Sequence, residues 1–147
     1  MKFSPEDTLR DIAKGDEAAY DFMCRFYIWF HAFDDLIDHD KPQTLRELLK
    51  AHFGLIVSLS CNEFYLKHKA VLLPVILSSS MSFESSEQLR EDPDVLRRIA
   101  SQVLKSQYQD IFFQVAWCVG GYDHMAAMNE KWRDFNFDPT PPPAAVP

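Results

Sequence analysis

The chain has 147 residues, of which 47% are hydrophobic and 14% aromatic, and its 15 basic and 22 acidic residues give a formal net charge of −7. This length and apolar content predict one globular domain with its own core and exclude wholesale disorder. No Lys/Arg-rich patch is present, so we expect neither nucleic acid nor an anionic membrane surface as a partner.

Two further features of the composition predict a soluble, cytoplasmic protein. The polar, acidic start of the chain is unlike a signal or transit peptide, and no apolar run approaches the roughly 20 residues that span a bilayer. Cys24, Cys61 and Cys118 form no C-x-x-C pair and have apolar neighbours. That arrangement is typical of reduced, packed thiols rather than disulfides.

Helix signals follow one another through the chain, whereas no Asn-Gly or Asp-Gly hairpin signal appears. The predicted helices, in chain order, cover about 5–14, 16–38, 44–60, 68–87, 93–119 and 122–135. Most starts carry a residue that accepts hydrogen bonds from the first backbone N–H groups, namely Ser4, Asp16, Thr44 and Asp92. The sequence therefore predicts an all-α, single-domain bundle of five or six helices.

Proline and glycine set the expected ends and breaks of these helices. Gly15 ends the first, Lys41-Pro42 closes the second, and Gly120-Gly121 separates the last two. Pro74 starts, kinks or interrupts the fourth helix, because proline lacks the backbone N–H. Beyond a helical domain of residues 1–135, residues 136–147 are rich in proline and are predicted to form a flexible tail.

The second helix carries a dense run of aromatic and aliphatic residues and ends in acidic ones. At 100° per residue, His31, Asp34, Asp35 and Asp38 share an arc of roughly 100°. The rest of the circumference is almost entirely apolar, which is typical of a helix at the centre of a bundle. We therefore expect this helix, over about 16–38, to be central and buried.

Asp34, Asp35 and Asp38 are the predicted metal ligands. Three carboxylates this close need cations or strong donors if they are ionised and partly buried. Mg²⁺ suits a set of ligands made only of oxygen. His31 is then expected to support the ligands or to act as a general base.

The motif Asp34-Asp35-Leu36-Ile37-Asp38 has the pattern D-D-x-x-D and resembles the first aspartate-rich motif of class I isoprenoid synthases. The resemblance implies an all-α enzyme in which the three aspartates hold Mg²⁺ against the diphosphate of a substrate. The chain is about half the usual length of that family, and no second aspartate-rich or Asn/Ser/Glu motif follows on a later helix.

The chain is also similar to the all-α nucleotide pyrophosphohydrolases, in its size and in pairing adjacent acids with a third acid one turn on. Glu63 lies at a suitable distance for the second acidic motif of that family but lacks a further acid beside it. A third resemblance, carried by His39-Asp40, is to phosphohydrolases of the HD type. The first two imply the same physical act, Mg²⁺ bridging carboxylates to a diphosphate.

Other helices are predicted to supply a second side of the metal or phosphate site. Gln109 and Asp110 lie opposite the apolar face of the long helix after Pro93 and could complete the site across the bundle. Glu63 could add a further acid, and Lys67 is a candidate donor to a phosphate.

Two functions stay open from the sequence. The first is a Mg²⁺-dependent protein that binds or acts on a prenyl or nucleotide diphosphate, as a homodimer that encloses the small molecule. The second is a non-catalytic, acidic helical protein that binds a protein partner, for instance as an inhibitor or assembly factor. Whether the chain is an enzyme stays open with them.

Overall fold

The computed structural model describes residues 4–39 and 42–133, which form an all-α, single-domain bundle as predicted. The helices are α1 Pro5–Ala13, α2 Glu17–Asp38, α3 Leu45–Cys61, α4 Glu63–Leu89, α5 Val95–Ser106 and α6 Asp110–Trp132, with a short 3₁₀ turn at Gln107–Gln109. No strand occurs in these residues. Asp40, Lys41 and the predicted tail over 136–147 lie outside the described residues.

The first three helices begin where the sequence predicts. The Ser4 hydroxyl and the Asp16 carboxylate each accept a hydrogen bond from the N–H three residues on, at 3.3 and 2.9 Å. Thr44 and Glu47 form a complete capping box, in which each side chain accepts from the backbone N–H of the other. At its other end, α2 stops at Asp38 because His39 adopts a left-handed conformation with φ 57°.

The fourth helix begins five residues earlier than predicted. Asn62 caps it, since its side-chain oxygen accepts from the Tyr65 N–H at 2.9 Å. The amide nitrogen of Asn62 also donates to the Ala18 carbonyl of α2 at 2.8 Å. Pro74 lies inside α4 on its exposed side, so the proline neither starts nor interrupts the helix.

The single helix predicted over 93–119 is divided into α5 and α6. Asp94, rather than Asp92, caps α5 by accepting from the Leu96 N–H at 2.8 Å. The 3₁₀ turn after Ser106 tightens the chain and leads into α6. Gly121, with φ 75° and ψ −166°, interrupts the helical geometry inside α6, so the predicted break at Gly120-Gly121 is present as a kink between two helical segments.

Helix α2 is the centre of the core and contacts α1, α3, α4 and α6. Its buried aromatic side chains stack on those of its neighbours. Phe22 lies 5.5 Å from the ring of Tyr65, and Phe30 lies 4.1 Å from the ring of Tyr108. The expectation of burial on nearly every side is wrong for the solvent side of this helix, where Ile28, Phe33, Leu36 and Ile37 are exposed.

The cysteine thiols differ in their exposure. All three cysteines are free, but Cys61 is exposed at the end of α3, which corrects the expectation that every thiol is packed. Among the described residues, no helix has both the length and the apolar composition needed to cross a membrane.

Candidate functional site

The aspartates at the end of α2 are joined to cations from other helices. Asp34 and Asp38 lie one turn apart on the same side of α2. The Lys105 ammonium of α5 bridges them, 2.7 Å from Asp34 Oδ1 and 2.9 Å from Asp38 Oδ2. Arg90, which directly follows α4, contacts the other oxygen of Asp38 and lies 3.4 Å from Glu87. These ion pairs, here called the Lys105 clasp, tie α2 to α4 and α5.

The charges of the clasp reinforce one another. Burial alone raises the pKa of the Asp38 carboxyl, but the hydrogen bond and charge of Lys105, with those of Arg90, outweigh it and hold that pKa below its ordinary value. Burial lowers the pKa of Lys105, and the two aspartates more than reverse this, so the pKa is raised. Both groups are therefore ionised at neutral pH.

The third aspartate of the motif faces a different part of the molecule. Asp35 Oδ2 accepts from Gln43 Nε2 at 3.3 Å and lines a cleft between α2 and α3 together with His31. The motif is thus divided between two sides of α2. Within residues 4–39 and 42–133, no three His, Cys, Asp or Glu side chains are grouped so that they could hold a metal ion. The magnesium site stays a prediction.

The cleft between α2 and α3 has a volume of about 420 Å³. Where the two helices face each other, the cleft is lined by the small residues Ala32, Ala51 and Gly54, whose side chains do not fill it. Its other lining side chains are Arg25, Tyr27, Ile28, His31, Asp35, Gln43, Glu47 and Lys50. The ring of His31 lies 4.2 Å from the ring of Tyr27. His31, the predicted general base, therefore lines the cleft, and its ring packs against Tyr27.

The predicted second side of the site lies around the start of α6. Asp110 pairs with Arg133 at 2.6 Å, within the α6 region. Gln109 lies in the 3₁₀ turn and lines a small cavity with Tyr27 and Trp132.

Glu63 and Lys67 lie near the opposite end of α2 from the cluster. Glu63 follows Asn62, whose side chain is bound to the Ala18 carbonyl. Ala18 is sixteen residues before Asp34, or about 24 Å along the helix axis. The structure therefore places Glu63 and Lys67 in the first turns of α4, away from the acids they were expected to join.

Lys105 and Arg90 are the cluster residues that the sequence interpretation missed. The cation predicted from the sequence is Lys67, which lies between the predicted third and fourth helices. The available signal was the need of two adjacent carboxylates for a cation, together with a lysine on the long helix predicted after Pro93.

A second candidate site is the solvent side of α3, here called the α3 outer face. Helix α3 buries only Ala51, Leu55 and Ser58 among its described residues. Five large apolar side chains lie along its other side and are exposed: Leu45, Leu49, Phe53, Ile56 and Val57. Leu45 is 72% exposed and Phe53 58%. From Leu45 to Val57 this face extends about 18 Å.

Further exposed apolar side chains follow α4 and α5. On α4 they are Leu66, Val71, Leu73, Leu77 and Met81, and on α5 they are Val95, Leu96, Ile99 and Val103. The α3 outer face adjoins the cleft between α2 and α3, whose lining includes the cations Arg25 and Lys50. No protein-family model, curated protein or solved structure matches the chain. Function is therefore inferred from the clasp, the cleft and the α3 outer face.

Proposed function

We propose that this chain is a helical interaction protein that binds another protein through the α3 outer face. The observation that carries the proposal is the row of five exposed apolar side chains on one side of a helix. Single exposed apolar residues are common on any surface, but a contiguous row is typical of a contact site. Covering it would remove apolar surface from water and favour association.

The Lys105 clasp supports the same function. Asp34 and Asp38 lie beside cations of the chain itself, so their charge is compensated without a metal. In this role the acids stabilise the packing of α2 against α4 and α5. The aspartate motif then has a structural role, and the partner binds to another side of the bundle.

Photo-crosslinking from a defined position tests this function. A photoreactive phenylalanine analogue is placed at Phe53 and, as a matched control, at Gln88, which is exposed on α4. We expect discrete covalent adducts with a protein from position 53 and none from position 88. Absence of adducts at position 53, or the same adducts at both positions, would overturn the proposal. An adduct of twice the chain's mass would identify a second copy as the partner.

A second candidate function is Mg²⁺-dependent binding of a diphosphate. The observation that favours it is that Lys105 and Arg90 stand beside Asp34 and Asp38, because a metal–diphosphate site needs both carboxylates and cations. Binding would require the carboxylates to turn to the metal and the cations to the phosphate oxygens.

Thermal unfolding separates this candidate from the first. A ligand that binds only the folded state raises the melting temperature. The diphosphate function requires a larger rise with Mg²⁺ and pyrophosphate together than with either alone, and loss of that rise in Asp34→Asn/Asp38→Asn. An unchanged melting temperature at millimolar concentrations of both would exclude it.

A further inference from the structure

The charge of this acidic protein is unevenly distributed along the chain. Residues 41–83 contain five Lys and Arg against two Asp and Glu, whereas the remainder contains ten against twenty. The helix α3 and the first half of α4 lie in this basic segment. The α3 outer face therefore belongs to a segment of the chain whose net charge has the opposite sign to the whole.

Cations line one edge of the α3 outer face. Arg46 and Lys50 are exposed and lie at roughly 100° and 140° around the helix from Leu45, beside Val57 at about 120°. Across the cleft, Arg25 of α2 extends over Gly54, where an added Cβ would lie 3.5 Å from the guanidinium.

The acids nearest to this edge are already engaged. Glu47 accepts from the Thr44 N–H and hydroxyl, both at 2.8 Å, and Asp35 accepts from Gln43. Arg25 shares its charge with Asp21 at 3.4 Å. In the part of the chain that the structure describes, neither Arg46 nor Lys50 forms an ion pair with an acidic side chain. Their charges face solvent at the margin of an apolar row.

We propose, on the basis of the proposed function, that the partner segment is an acidic amphipathic helix that lies along α3. Its apolar side would cover Leu49, Phe53 and Ile56, which repeat with the spacing of a helix face. Its carboxylates would lie against Arg46 and Lys50. The row is about 18 Å long, which matches about three turns of a partner helix.

Charge also decides between this partner and a second copy of the chain. An antiparallel two-fold contact through α3 would place the same edge of both copies on the same side. With the two-fold axis at the middle of the row, near Ala51, Lys50 of one copy would approach Lys50 of the other, and like charges disfavour that contact. An acidic helix instead brings opposite charges together.

Two synthetic peptides test the proposal on the full chain. Both have the same row of Leu and Phe at helical spacing, and their flanking positions are all Glu in one and all Lys in the other. Fluorescence anisotropy should show that the Glu peptide binds at least about tenfold more tightly than the Lys peptide at low salt. The preference should narrow as salt is added, because exposed charges are screened.

Charge-reversal variants locate the effect. Arg46→Glu/Lys50→Glu should reverse the preference, whereas the matched control Lys67→Glu/Lys69→Glu, on α4, should retain it. Phe53→Ser should weaken binding of both peptides. Circular dichroism and thermal unfolding show whether each variant keeps its fold.

The outcomes separate this inference from the function on which it rests. Equal binding of both peptides, lost in Phe53→Ser, would overturn the acidic partner while leaving the α3 outer face as a contact site. Binding of neither peptide would overturn the helix proposal, and crosslinking from position 53 then decides the proposed function independently. A dimer of the chain that disappears in Phe53→Ser would overturn the inference in favour of a second copy.

Discussion

Lys105 is the residue on which the charge balance at the end of α2 depends. Its side chain is 33% exposed and reaches two carboxylates that lie one turn apart. Lys105→Met should lower the free energy of unfolding by about 1–3 kcal/mol, because Asp34 and Asp38 would lose the hydrogen bonds and the opposite charge that Lys105 supplies. Urea unfolding at neutral pH measures the loss.

Lys69→Met provides the control for this substitution. Lys69 is exposed on α4, so its replacement should change the free energy of unfolding by less than about 0.5 kcal/mol. If the two variants were equally stable, the Lys105 clasp would contribute nothing to the fold.

The ion pairs of Asp38 should make the free energy of unfolding depend on pH in the acidic range. Its folded pKa is held below its ordinary value, so the unfolded chain takes up this proton first as the pH falls. The stabilisation by Asp38 is therefore fully present above the unfolded pKa of about 3.9 and is lost as the pH falls through the folded pKa. Wild type should exceed Asp38→Asn in stability at pH 7, and the difference should shrink below about pH 4. A difference that is constant from pH 7 to pH 2 would contradict the ion pairs.

The location of the acids could be predicted from sequence, but their partners could not. Asp34 and Asp38 fall on one side of any helix, because that follows from local geometry alone. Lys105 is 67 residues away from Asp38, and the contact between them depends on how α5 packs against the bundle. The different surroundings of Asp35, which faces the cleft and bonds to Gln43, likewise depend on how the helices pack and could not be predicted from the spacing of the three aspartates.

Among the elements, α6 depends on one glycine. Gly121 has φ 75° and ψ −166°, a backbone conformation that side chains with a Cβ strongly disfavour. Gly121→Ala should therefore lower the free energy of unfolding by about 1–3 kcal/mol, as measured by thermal or urea unfolding.

Gly54→Ala is the matched substitution and should act in the opposite direction. Gly54 lies within α3, and an added Cβ would make an ordinary contact with Arg25 at 3.5 Å. Alanine is preferred over glycine inside a helix, so the variant should gain about 0.5–1 kcal/mol. Equal effects at both positions would show that backbone conformation does not decide the result.

The starts of α1, α2 and α3 were predictable because each depends on a cap within three residues of sequence. The start of α4 was missed because Asn62 serves as the C-cap of α3 and the N-cap of α4 at once. The division between α5 and α6 was missed for a different reason. A 3₁₀ turn of three residues leaves the apolar period of Leu104, Tyr108 and Ile111 unbroken in the sequence.

At the scale of the whole molecule, α2 and α3 have different surroundings. Helix α2 contacts four other helices and includes the fully buried Phe22 and Met23. Within the described residues, α3 contacts only α2 and α4, and its buried apolar side chains are Ala51 and Leu55. Helix α3 is thus a peripheral layer on a core formed by the others.

This difference predicts that α3 opens without unfolding the rest of the molecule. Local opening costs less free energy where few apolar side chains are buried. In native-state hydrogen exchange, the amides of α3 should therefore exchange with opening free energies at least about 2 kcal/mol below those of α2 around Phe22 and Phe26. Leu55→Ala should lower the protection of α3 further and leave the gap to α2 wider. Equal protection of both helices would show that α3 unfolds only with the core.

If α3 does exchange faster than α2, adding the Glu peptide should raise protection selectively in α3, because a ligand stabilises the segment whose folded form it binds.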